Sequence, residues 1–155
     1  MLKPYVCVAC EKVIIAKQDE VASLISLFSK IILTVPVGTE IPRNAVAPKE
    51  WAVFSIWDPE PGDEQRNYFL CTQILYPDES QFGEITRSRF NVEVNKRAQM
   101  NIQVQGFPIG QAGEYKIRTW IEENEKRVSE PIQFGIEVIV NFTASPTGAS
   151  TVTHP

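Results

Sequence analysis

The sequence predicts an all-β protein, a two-sheet antiparallel sandwich of immunoglobulin-like type with about eight strands. Three observations carry that prediction. Apolar and polar residues alternate with a period of two along most of the chain. Breaks rich in Pro, Gly, Asp and Asn recur roughly every ten residues, as turns between short strands do. The length of 155 residues, 43% of them hydrophobic and 22% charged, is one domain's worth and enough to bury a core without disulfide or metal staples.

The first strand is read from Pro4 to Ala16. Lys17-Gln18-Asp19-Glu20 then turns the chain into an apolar segment, Val21 to Val35. Val21, Leu24, Ile25, Phe28, Ile31 and Ile32 also fit the spacing of an amphipathic helix capped by Asp19. The β-like neighbours and the β-branched run that continues past Ile31 select strand instead. Pro42 and Pro48 make the stretch from Gly38 to Lys49 a surface connection. The next strand, Glu50 to Trp57, sets Trp51, Val53, Ser55 and Trp57 on one face and Ala52, Phe54 and Ile56 on the other. Both faces are apolar, so this strand is central or covered on its outer side.

Asp58-Pro59-Glu60-Pro61-Gly62-Asp63 has the composition of a turn, Asn67 to Tyr76 is its hairpin partner, and Pro77 to Ser80 ends that strand. Arg89 to Asn95, with Phe90, Val92 and Val94 on one face, and Met100 to Gln105 read as the following pair. A loop from Gln105 to Gly113 leads into Glu114 to Glu122. There Tyr115, Ile117, Thr119 and Ile121 alternate with Lys116, Arg118, Trp120 and Glu122, the first set for the core and the second for solvent. Gly113-Glu114-Tyr115 also fits a tyrosine corner, whose hydroxyl bonds back to nearby backbone. Ile132, Phe134, Ile136, Val138, Val140 and Phe142 line the last core strand. The domain is therefore read as residues 1–142. Residues 143–155 are too small and polar to bury anything and read as a disordered tail.

Cys10-Glu11-Lys12-Val13, the polar turn after it, Ser23-Leu24-Ile25-Ser26-Leu27-Phe28 and the late Gly113-Glu114-Tyr115 resemble an uncharacterised bacterial family of small β-sandwich domains of unknown function. The similarity runs over about residues 3 to 142. It implies a bacterial source and a cytosolic sandwich, and it transfers no active-site residue.

Fifteen Lys and Arg against 19 Asp and Glu leave a net charge of −4, which favours neither nucleic acid nor an anionic membrane, nor bulk steering of acidic partners. The opening residues are broken by Glu11 and Lys12, so no secretory signal is read there, and no apolar run reaches the ~18 residues of a spanning helix. The expected location is cytoplasmic. Three cysteines, Cys7, Cys10 and Cys71, are an odd count read as reduced thiols. On a strand the two ends of the C-x-x-C point to opposite faces, and His154 is the lone histidine, so neither a metal nor another cofactor is expected. The same isolation of His154 leaves no base for a Ser or Cys nucleophile. Asp58, Glu60, Asp63 and Glu64 read as a solvated turn ahead of a calcium or acid/base site.

Binding is assigned to Trp120 with Arg118 and Lys116, an indole among cations on a polar sheet face. Its plain alternative is an indole half covered by Arg118. Gln99, Asn101, Gln103 and Gln105 form an amide row that would suit a sugar if an aromatic stood beside it. The sequence thus points to a non-enzymatic interaction module that binds a protein partner or a second copy of itself through a sheet edge or the Trp120 face. A small-ligand or carbohydrate-binding module is the alternative, and an enzyme with an unrecognised site the third reading.

Overall fold

The computed structural model describes residues 2–18 and 21–144. Among them the chain forms ten strands: β1 (Lys3–Ile15), β2 (Ala22–Leu27), β3 (Lys30–Pro36), β4 (Val46–Asp58), β5 (Tyr68–Leu75), β6 (Gln81–Phe90), β7 (Ala98–Pro108), β8 (Gly113–Glu123), β9 (Lys126–Arg127) and β10 (Ile132–Thr143). A 3-10 turn at Asp63–Gln65 is the one helical element among these residues. One sheet has the order β2-β1-β4-β7. The other, six-stranded, runs β3-β10-β8-β5-β6, with β9 paired to β8. The two pack as a sandwich whose core holds Trp51, Trp57, Tyr68, Leu70, Phe107, Tyr115, Ile117, Ile121 and Ile136.

The segment from Val21 to Val35 is extended, as the β-branched residues require, but it is two strands in different sheets. β2 pairs antiparallel with β1, the chain crosses at Phe28-Ser29, and β3 pairs with β10 in parallel. The sandwich is thus not wholly antiparallel. β1 and β2 bend together where Ser26 takes a left-handed φ of 55°. The last β1 residue opposite β4 is Cys10, facing Ala52, yet Ile15 lines the same cleft as Ala98 and Gln99, which pair with Trp57 and Ile56. The hairpin therefore doubles back across the outer face of the four-stranded sheet. There Val13, Ala22 and Leu24 pack on Cys10, Ala52 and Phe54. The two apolar faces of β4 are explained together, one in the core and one under this hairpin.

Other boundaries move for identifiable reasons. β4 begins at Val46 because a register shift between Ala47 and Glu50 absorbs Pro48, which has no N–H for the ladder. Arg89 to Asn95 is not a strand. β6 ends at Phe90, Val92 is buried in the crossing between sheets, Val94 is exposed, and Asn95 turns the chain at φ 60°. β7 extends to Pro108, so the loop before β8 is short. Thr143 belongs to β10, opposite Pro36, and the remaining tail from residue 145, with His154, lies outside the described residues.

Tyr115 is fully buried, and its hydroxyl accepts a hydrogen bond from the Gln111 N–H at 3.0 Å, four residues upstream. This is the backbone bond the tyrosine-corner pattern predicts. Gly110 beside it lies so close to the Arg43 backbone that a Cβ would stand 1.8 Å from that carbonyl oxygen. Tyr115→Phe is predicted to cost on the order of 1 to 3 kcal/mol, because it strands the Gln111 amide in a part-buried loop. Denaturant unfolding of the variant measures it, and a loss below a few tenths of a kcal/mol would show that the bond is dispensable.

Candidate binding face

The alternation of β8 turns Lys116, Arg118, Trp120 and Glu122 to the outer face of the six-stranded sheet. The ladders add neighbours on the same face: Gln73 beside Arg118, Cys71 between Trp120 and Arg87, and Phe69 between Glu122 and Arg89. Gln133 of β10 and Arg127 of β9 complete it, opposite Arg118 and Glu122 respectively. Five cations thus share one sheet face of an acidic chain.

Trp120 does not stand free on this face. Its exposure is 3%, because the Arg127 guanidinium lies 4.7 Å from the ring centroid and Cys71 fills the adjacent strand position. Its Nε1–H donates to Glu122 Oε1 at 2.8 Å. The expectation of an accessible indole is corrected by these contacts, and the stacking cation is Arg127 where the sequence suggested Arg118. Arg118 instead donates to the Gln133 side-chain oxygen at 3.0 and 3.2 Å, and Lys116 pairs with Glu79. The three residues predicted for binding share a face but no single contact.

Sequence reasoning missed Arg87, Arg89 and Arg127. The signal for the first two was the Thr86-Arg87-Ser88-Arg89 alternation, hidden because β6 was not recognised as a strand. Arg87 pairs with Glu122, and Arg89 donates to the Asn67 side-chain oxygen at 2.5 Å. Burial pushes the Glu122 carboxyl up, but the Trp120 N–H and the Arg87 guanidinium outweigh it and hold the group below its ordinary 4.5. Burial, joined by the charge of Glu122, pushes the Cys71 thiol up to about 11.

The other tryptophans, the amide row, the acidic turn and two of the cysteines are placed elsewhere. Trp51 and Trp57 face the core, where their N–H groups donate to the Gly106 carbonyl at 2.9 Å and to Ser55 Oγ at 3.0 Å. The amide row lies on the four-stranded sheet, with Gln99, Asn101 and Gln103 opposite Ile56, Phe54 and Ala52, so no tryptophan stands beside it. In the acidic turn, Asp58 pairs with Arg97 at 2.6 Å and Glu60 with Lys3 at 2.7 Å. Asp63 accepts from Tyr68 Oη–H at 2.7 Å and from the Glu60 N–H at 2.8 Å. These carboxylates are spent on holding the turn. Cys7 sits 3.4 Å from Thr119 Oγ1, whereas Cys10 lies under the hairpin with Ala52 and Phe54. The ends of the C-x-x-C therefore occupy opposite faces, as the strand reading requires.

No protein-family model matches the chain, and no curated protein matches it significantly.

Trp120→Ala is predicted to cost roughly 3 kcal/mol or more in denaturant unfolding, in the range of a truncated buried aromatic. A cost under about 1 kcal/mol would mean that Arg127 and Cys71 do not hold the ring. Because Glu122 ionises below its ordinary value in the folded state, its contribution is present above pH 4.5 and fades as pH falls through the depressed value. Glu122→Gln should therefore flatten the acid limb of the stability profile, and an unchanged limb would refute the assignment. The thiols should react slowly with a disulfide reagent at neutral pH and fast only in denaturant, since burial raises all three.

Proposed function

We propose that the chain is a non-enzymatic interaction module of the cytoplasm, an immunoglobulin-like sandwich that docks an acidic segment of a protein partner on the outer face of its six-stranded sheet. One observation carries the reading. Arg89, Arg118 and Arg127 share that face, and among the described residues none of them has a carboxylate within ion-pair distance. Their contacts are the Asn67 and Gln133 carboxamides and the Trp120 ring, all neutral.

A guanidinium bonded only to an amide keeps donors free for a carboxylate and presents them in a fixed planar fork. Lys116 and Arg87 carry their charge to the same face but are already neutralised by Glu79 and Glu122. The net charge of −4 opposes long-range attraction of an acidic partner, so recognition here is local and acts within about a Debye length of ~10 Å. Trp120 serves as a rigid floor beneath Arg127 and not as an inserted anchor.

A fluorescently labelled glutamate-rich peptide tests the reading by anisotropy. Binding should weaken steadily with added salt and vanish in the Arg89→Glu, Arg118→Glu double variant while the thermal midpoint stays near that of the wild type, since the side-chain hydrogen bonds of both are exposed and go only to carboxamides. A serine-rich peptide of equal length should not bind. No binding of the acidic peptide at low salt would defeat the proposal.

A further inference from the structure

The free edge of β3 carries an arrangement separate from the cationic face. Glu137 N–H donates to the Ser29 carbonyl at 2.8 Å, and Val37 N–H donates to the Thr143 carbonyl at 2.9 Å. Odd-numbered residues here turn their backbone groups toward β10, so the alternation of the strand turns those of Lys30, Ile32 and Thr34 outward. β3 is the last strand on that side of the sheet. At the next outward position Pro36 has no N–H, and its carbonyl already accepts from Thr39 N–H at 3.1 Å. The open ladder is thus three residues long and centred on Ile32.

An exposed apolar side chain has the same centre, since Ile32 is 57% exposed. An antiparallel second copy related by a two-fold axis at Ile32 sets Ile32 against itself and Lys30 against Thr34. Every outward N–H and C=O of the three open residues then finds a partner. A register centred on Leu33 would set Lys30 against Pro36, which has no N–H to give. The strand's one charge, Lys30, meets a neutral residue and not its like.

We propose that the chain self-associates as a two-fold dimer by antiparallel pairing of β3 edges about Ile32, continuing the six-stranded sheet across both copies. Isologous contacts need this self-complementarity, in which one patch is its own partner. The seven residues of β3 span only ~23 Å, so the contact falls well short of the ~1,600 Å² of a standard interface. Association is accordingly weak and concentration-dependent.

Sedimentation velocity of the full chain, from about 5 to about 500 μM, should show a shift from monomer to dimer. Ile32→Asp and Ile32→Lys should each remain monomeric with a wild-type thermal midpoint, because the side chain is exposed and like charges meet at the axis. Mixing the two should restore the dimer, since residue 32 faces itself. Thr34→Pro removes one outward N–H without touching the β10 ladder and should also abolish association, which keeps the test open if a charged variant fails to fold. A wild type that stays monomeric throughout, a dimer that survives Ile32→Asp or Thr34→Pro, or folded charge variants that do not recover on mixing would overturn the proposal. None of these outcomes bears on the arginine face, which is read by peptide binding.

Discussion

Six aromatic rings stand in unbroken contact through the sandwich: Phe28, Trp51, Phe107, Tyr115, Tyr76 and Phe82, with successive centroids 5.9, 5.5, 5.4, 5.7 and 5.6 Å apart. The chain of rings begins at the crossing between sheets, passes along β4 and β7, and enters the second sheet at β8. Edge-to-face and tilted contacts of this kind hold orientation as well as area. Three of the rings carry a polar atom, and each is satisfied by backbone: Trp51 at the Gly106 carbonyl of β7, Tyr115 at the Gln111 N–H and Tyr76 at the Arg43 carbonyl, 2.9 Å away, the last two in loops. Arg43 also stacks on Tyr76 and pairs with Asp78, so the long connection before β4 is pinned at this end. The core and the loops at that end are therefore one mechanical unit.

The surfaces left for function follow from what that unit fixes. Phe28, held edge-on to Trp51, sets where the chain leaves one sheet and enters the other. That position sets the register of β3 on β10, and the register decides which backbone groups face outward. The outer face of the four-stranded sheet is covered over β4 by the doubled-back hairpin, while the other outer face is left to charged side chains around a covered Trp120. An exposed edge and a cationic face are separate surfaces of one sandwich, so the docking and the self-association proposed for them do not call on the same residues.

The all-β class, the two apolar faces of β4, the alternation of β8, the opposite facing of Cys7 and Cys10, and the backbone bond of Tyr115 are legible in the residues themselves. Each depends on local geometry, either the period of two along a strand or a turn residue at a short offset. Tertiary packing decided that the segment from Val21 divides between sheets, because Trp51, Lys49, Ala9 and Glu137, all distant in sequence, hold the turn at Phe28-Ser29. It decided likewise that Trp120 is covered, since Arg127 and Cys71 reach it from other strands, and that Arg89 shares a face with Arg118 across β5. Periodicity says which side of its own strand a residue takes. It carries no information about which strand lies alongside, and burial, ion pairing and open edges are all properties of the neighbouring strand.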